Sequence, residues 1–264
     1  MSRLIRFLRA VTNRHNLRVA WRMFRVVKNP LTYLRFLASG RGSPTILARA
    51  PIGEVAIRLR NHEAARTFFS IFVRQDYPLK GDRACGVLDV GSNIGISALY
   101  FLSRHRDNRV FCVEPDPANA PFLVENLAPH AERATIVREA CSAGETGELD
   151  FHVSPDGKYS SLLPNERATE MIRVAVRPLL ELVEAATPHL GPNTLIMKID
   201  IEGLEKRVLL SLPGEKLAQF QTIFVEALGV GAALGPGWDT QVLAGYVEMI
   251  ERTDRQGFAQ SSSG

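Results

Sequence analysis

The sequence predicts an α/β fold, a doubly wound and mostly parallel sheet with a basic helical N-terminal extension. Three observations predict it. From Cys85 onward, short apolar runs alternate with amphipathic helical runs. A glycine-containing turn, Leu88-Asp-Val-Gly-Ser-Asn-Ile-Gly95, joins the first of those runs to a helix. Residues 1–53 hold eleven Lys and Arg and no Asp or Glu. Alternation of this kind covers a parallel sheet with helices on both faces. At 264 residues, one domain with one extension is the expected organisation: 1–42 as the extension, 43–264 as the domain.

The net charge of +4 hides an asymmetry: the first 53 residues carry +11, so the remainder carries −7. In the extension, Arg14, Arg18, Arg22 and Arg25 share one helical face, and Leu17, Trp21, Phe24 and Val27 recur on a neighbouring one. Asn29-Pro30 breaks the pattern, and Leu31 to Leu37 forms another short helix. Two uses fit this arm. It docks on an anionic membrane surface, or it packs its apolar face on the domain and leaves the arginines solvated. No aromatic stacking platform or reading motif accompanies the charge, which disfavours nucleic acid. Arginine interrupts the first ten residues too often for a secretory h-region. Uncharged stretches such as Val90 to Ser103 are too short to span a bilayer. Cys85, Cys112 and Cys141 form neither a C-x-x-C pair nor a metal-ligand pattern and read as small buried residues. Nothing here asks for an oxidising compartment or a metal, so a cytoplasmic protein, peripheral to the membrane if the arm docks there, is expected.

Residues 45–60 read as a β-hairpin around Pro51-Ile-Gly, and 62–76 as a helix with Ala65, Phe68, Phe69 and Phe72 inward. Strands follow at Gly86–Val90, Arg109–Glu114, Thr135–Ala140, Glu148–Val153, Arg173–Val176, Thr194–Asp200 and Gln221–Glu226. Helices are expected over Ile94–His105, Ala118–Leu127, Leu179–Ala186, Leu204–Leu212 and Thr240–Arg252. Residues 154–170 read as a loop. The chain stops just after Gly257-Phe-Ala-Gln, so the last strands of the sheet are expected to be short or missing, and Ser261-Ser-Ser-Gly reads as a short flexible end.

The strongest chemical signal is the turn after the first core strand. Gly91 and Gly95 let the backbone bend sharply and let a ligand approach. Glu114 ends the next strand, where an acidic residue can accept both hydroxyls of a ribose. Together they describe an adenosine-ribose site. A dinucleotide fingerprint needs G-x-G-x-x-G to seat a pyrophosphate; here Asn93 stands where the middle glycine would, which argues against NAD. Asp89 suits a cationic ligand portion better than a phosphate, and S-adenosylmethionine carries a sulfonium, an amino group and no phosphate.

With these residues, the chain resembles the FkbM family of methyltransferases. The resemblance rests on Val87-Leu-Asp-Val-Gly-Ser-Asn-Ile-Gly-Ile-Ser, Phe111-Cys-Val-Glu-Pro-Asp-Pro and Leu195-Ile-Met-Lys-Ile-Asp-Ile-Glu-Gly-Leu-Glu. Weaker matches are Arg74-Gln-Asp-Tyr, Tyr159-Ser-Ser-Leu and Phe224-Val-Glu; together they cover about residues 50–255. It implies a class I methyltransferase fold and S-adenosylmethionine-dependent methyl transfer to a hydroxyl of a sugar, glycan or natural product. It also implies that Asp89, Gly91, Ser92, Asn93 and Gly95 line the methionine and ribose portion, that Glu114 holds the ribose, and that Ala140-Cys-Ser borders the adenine. Where the family often has an acid soon after the third strand, this chain has Ala143. The competing readings are an NAD-type oxidoreductase on a similar fold and a non-catalytic protein that binds membrane or nucleic acid through the arm.

Lys198, Asp200 and Glu202 alternate along one strand and are expected to project together. Asp200 or Glu202 then takes the acceptor's proton, with Lys198 tuning charge, or the three form a salt-bridged cluster holding the strand end. His152 and Tyr159 border the loop that covers the acceptor, and Glu226 is a further acceptor-side residue.

Overall fold

The computed structural model describes residues 14–81, 83–191 and 194–253. Residues 1–13, the side chains of Arg14 and Leu17, and the expected flexible end lie outside the described residues.

The extension forms α1 (Arg14–Val26) and α2 (Pro30–Ser39). The inward stripe of α1 differs from the one expected. Met23 and Val27 are buried, with Val19 and Val26 packed beside them, whereas Trp21 and Phe24 are 62% and 55% exposed. Residues 19, 23 and 27 make an apolar i, i+4 ladder of their own. The hairpin β1 (Thr45–Ala50) and β2 (Gly53–Arg58) pairs antiparallel, and Val27 bridges to Ala48 on its edge. Helix α3 (His62–Phe68) starts where the Asn61 side chain accepts from Ala64 N at 2.9 Å. It widens into a π-type segment, Phe69–Arg74, which ends at Gln75 with φ +63°.

The central sheet contains β3 (Cys85–Val90), β4 (Arg109–Val113), β5 (Ala134–Val137), β9 (Thr194–Ile199), β10 (Phe220–Val225), β11 (Trp238–Leu243) and β12 (Val247–Arg252). Its order is β11-β12-β10-β9-β3-β4-β5, parallel except for β12 against β10 and β11. The sheet is mostly parallel, as the alternation of strands and helices predicts. Successive strand residues feed opposite layers. Val87, Val110, Cys112 and Phe224 join the core under α3, α4 (Ile96–Leu102) and α5 (Ala120–Leu127). Leu88, Phe111, Met197 and Ile223 join the core under α6 (Leu179–Leu190), α7 (Glu205–Leu210) and α8 (Gly214–Leu217). All three cysteines are free and buried.

The helix expected at 240–252 is instead the hairpin β11–β12. Ala244 and Gly245 both have positive φ, +52° and +82°, and reverse the chain. Val247, Met249 and Ile250 are buried in the two layers. A run of mixed apolar residues satisfies either period until the turn is recognised. The last two strands are therefore present, not missing. The expected strand at 135–140 splits into β5 and β6 (Ala140–Ser142). With β7 (Gly147–Val153) and β8 (Glu170–Pro178), β6 makes a separate sheet of order β6-β8-β7. Residues 154–169 connect β7 to β8.

Candidate active site

Strands β3, β4, β9 and β10 end at one edge of the sheet. Each is followed by a residue that lines a single cavity of about 310 Å³: Gly91, Glu114, Asp200 and Glu226. β3 and β9 are neighbours whose following helices cover opposite faces, and at such a switch point the exits diverge and leave a crevice. Backbone bonds fix the tips. Asp200 N donates to Val90 O at 3.1 Å, Glu114 N to Val137 O at 3.0 Å, and Glu226 N to Ile199 O at 3.0 Å.

Gly91 has φ +79°, and a Cβ built there would lie 1.8 Å from the Asp200 carbonyl oxygen. The two strand exits touch because residue 91 has no side chain. Glu114, 6% exposed, faces the loop that follows. Its Oε2 accepts from Asn93 N at 2.8 Å; its Oε1 accepts from Asp116 N at 3.0 Å and Asn119 Nδ2 at 3.2 Å. An ionised carboxylate can accept about four hydrogen bonds, so capacity remains for a ligand hydroxyl. Burial pushes the Glu114 carboxyl up to about 7, opposed by these hydrogen bonds. Asn93, at φ +51°, donates through Nδ2 to Gly157 O at 2.8 Å. Asn119 Nδ2 reaches the same carbonyl at 3.3 Å. Gly157, Lys158, Tyr159 and Ser160 thereby line the cavity from the β7–β8 loop.

The same cavity also has an acidic cluster on its wall. Asp200, Glu202 and Glu226 form it, with Lys158 among them. The sequence places Lys198, Asp200 and Glu202 along one strand, but β9 ends at Ile199, so the two carboxylates stand on the loop beyond it. Glu202 has φ +56°, an uncommon conformation for a non-glycine residue. Burial, then the charge of Asp200, pushes its carboxyl up to about 8. Burial and Asp200 likewise push Glu226 up to about 7, opposed by Lys198 and by the hydroxyl of Tyr77, which donates to Oε1 at 2.6 Å. Burial works against the Lys158 ammonium, but Glu226 and Asp200 outweigh it and raise its pKa.

Lys198 is 2% exposed. Its Nζ donates to Gly91 O at 2.6 Å and pairs with Asp89 at 3.3 Å and Asp200 at 3.6 Å. Burial disfavours its charge, yet Asp89, Asp200 and Glu226 raise its pKa overall. Asp89 is fully buried behind the cavity wall. Its Oδ2 accepts from Ser97 Oγ at 2.6 Å, and Oδ1 has the Lys198 charge nearby without an aligned hydrogen bond.

Of the cofactor-site residues named from sequence, Gly91, Ser92, Asn93, Glu114 and Ala140 line the cavity. Asp89 lies beneath it. Gly95, at φ +86°, faces α5 instead, where a Cβ would come 2.9 Å from Leu123 Cδ1. Lys198, Asp200 and Glu202 all line the cavity. His152 pairs with Ser161 through its backbone and is not on the wall. Sequence reasoning did not single out Tyr77, Lys158 or the trio Arg74, Asp76 and Tyr246 as site residues. Arg74 is ion-paired to Asp76. Tyr246 donates to Asp76 Oδ2 at 2.5 Å, which ties the β11–β12 turn to the segment before β3. The Arg74-Gln-Asp-Tyr stretch was the available signal; Tyr246 was hidden by the helical reading.

The profile of the methyltransferase FkbM domain matches residues 89–254, more than half of the chain. The chain belongs to the FkbM methyltransferase family. It is 38% identical over 68 residues to 2-O-methyltransferase NoeI of Sinorhizobium fredii, a match covering 26% of this chain and only 27% of that protein. It is 23% identical over 185 residues to Methyltransferase 1 of Beauveria bassiana, covering 64% and 74%. The SAH-bound structure of Podospora anserina methyltransferase PaMTH1 is similar with a TM-score of 0.44 at 11% identity, over 92% of this chain and 97% of that one. This FkbM protein is thus a methyltransferase with S-adenosylmethionine as donor. Family membership displaces the oxidoreductase and non-catalytic readings.

Proposed function

We propose that this FkbM methyltransferase moves a methyl group to a hydroxyl oxygen of a small sugar, glycan or natural-product acceptor. The observation that carries this reading is one cavity lined by two separate carboxylate groups: Glu114, bonded to Asn93, Asp116 and Asn119, and Asp200, Glu202 and Glu226, which act on one another electrostatically. The match to a 2-O-methyltransferase supports an oxygen acceptor, over a short span.

The residues present fit the donor. Glu114 has unused acceptor capacity for a ribose hydroxyl. Gly91, Ser92 and Asn93 form a bend that a ligand can approach, and Ala140 lines the same cavity. Asp89 and Gly95 act indirectly, Asp89 through Lys198 and Ser97, Gly95 through close packing of α4 on α5. S-adenosylmethionine supplies a methyl group already activated on sulfur. The chain's tasks are alignment and removal of the acceptor's proton.

We assign proton removal to Glu202. It faces the cavity with strained backbone, and strain of this kind gathers at functional sites. Its carboxyl, raised to about 8, holds a proton below that pH and accepts one above it. Lys198 pairs with Asp89 and Asp200 and holds the Gly91 carbonyl.

Glu202→Gln is expected to lower kcat about 100-fold, the usual scale of general-base loss, with donor affinity little changed. The wild type's kcat/KM rises with pH and levels off above about 8; the variant loses that rise. Steady-state rates across pH 6 to 9, with release of S-adenosylhomocysteine as readout, check both. An unchanged kcat removes Glu202 from the role. Methyl labelling of a panel of hydroxyl, amine and carbon acceptors, read by NMR, tests the acceptor class, and transfer only to nitrogen or carbon contradicts it.

A further inference from the structure

We infer that α1 and α2 present a docking surface for an anionic lipid bilayer. Ten large apolar side chains are exposed among the described residues, and four of them fall between residues 21 and 34: Trp21, Phe24, Leu31 and Leu34. Leu31 is 68% exposed. These residues are not spare core. Each helix already buries a different set, Met23 from α1 with Val27 just beyond its end, and Tyr33 and Phe36 from α2. The helices are thus anchored by one face and carry aromatic and leucine side chains on another.

Charge identifies the occupant. Arg18, Trp21, Arg22, Phe24, Arg25 and Arg49 surround one shallow depression. The Arg25 guanidinium lies 4.5 Å from the Trp21 ring centroid, and Arg49 Nη1 donates to Arg25 O at 3.0 Å. Among the described residues, Arg18, Arg22, Arg25 and Arg35 form no ion pair, and Lys28 pairs with Glu54. No acidic residue occurs before Glu54. Cationic residues with interleaved Trp, Phe and Leu match a bilayer interface, where the apolar groups enter below the headgroups and the arginines meet phosphates. A folded protein partner would need acidic side chains with a complementary shape; a lipid surface supplies negative charge without a fixed shape. No helix among the described residues is long and apolar enough to cross a membrane.

Sedimentation of the full chain with vesicles tests this. Vesicles of phosphatidylcholine with phosphatidylglycerol should carry the protein down, and pure phosphatidylcholine vesicles should carry far less. Raising the salt should weaken the first case by screening. Trp21→Ala/Phe24→Ala should weaken binding at least about tenfold by removing the inserted area, with melting temperature and S-adenosylmethionine affinity unchanged because neither side chain is buried. Trp21→Ala should also remove the blue shift in tryptophan emission on vesicle addition, since Trp238 is the one other tryptophan. The inference is overturned if anionic vesicles leave the protein in solution, or if the double variant binds as well as the wild type. Retarding an RNA oligonucleotide while ignoring vesicles, or dimerising through these side chains, would also overturn it. So would Trp21 already shielded from acrylamide without vesicles, because the chain itself would then cover the surface.

Discussion

Gly91→Ala is expected to yield a protein that does not hold the native fold of its cofactor loop, with a melting temperature far below that of the wild type. Two costs add. A left-handed backbone costs a residue with Cβ about 1–2 kcal/mol. The larger cost is steric. The new methyl would stand 1.8 Å from the Asp200 carbonyl oxygen, a backbone atom fixed by the bond from Asp200 N to Val90 O. Relief requires the β3 and β9 exits to separate, which breaks the Lys198 contacts. A total of about 4 kcal/mol or more is a large share of the roughly 5–15 kcal/mol that stabilises a domain. Circular dichroism melting of the purified variant measures this. A melting temperature within about 2 °C of wild type, with donor binding intact, would show that the exits do not need this close approach.

Lys198→Met has the second large effect. Methionine fills similar space but leaves Asp89, fully buried, with only Ser97 to bond. Removing one partner from a buried ion pair typically costs about 3–5 kcal/mol, because the charge left behind is uncompensated. It also frees the Gly91 carbonyl and leaves Asp200 and Glu226 without their buried cation. Urea denaturation at neutral pH should show the loss. Adding Asp89→Asn should recover part of the stability, as expected for coupled neighbours. If the double variant is no more stable than Lys198→Met alone, the pair is not the source of the loss.

Much of this architecture was legible because it follows from short-range pattern. Strands β3, β4, β9 and β10 are apolar runs bounded by Gly, Pro or acid, and their tips carry the residues that line the cavity. What escaped was set by tertiary context. Thr240 to Arg252 fits a helical period as well as a strand period. Only the reversal at Ala244-Gly245 and the place beside β10 decide between them, and with them the position of Tyr246. The arm offered two overlapping apolar stripes, and packing against β1 chose Val19, Met23 and Val27. Lys198, Asp200 and Glu202 were expected to share a face by strand alternation; they meet in one cavity although the strand ends first, because the loop turns through the positive φ of Glu202. Asp89 and Gly95 belong to the motif yet stand behind the wall. A motif names the residues a turn requires without separating those that touch a ligand from those that support the turn. Tyr77, distant in sequence from Glu226, could be placed only by the fold.

The account depends on Glu114 gripping the donor's ribose at the tip of β4. Isothermal titration of S-adenosylmethionine into wild type and Glu114→Gln tests this directly. Loss of one hydrogen bond to a charged group, about 1.5–3 kcal/mol, should weaken binding about tenfold or more. Wild-type affinity should rise between pH 6 and 8, because the carboxyl, pushed up to about 7, holds a proton at the lower pH and accepts fully at the higher; the variant should show no such rise. Equal affinity in the two proteins, with no pH dependence in either, would contradict the account.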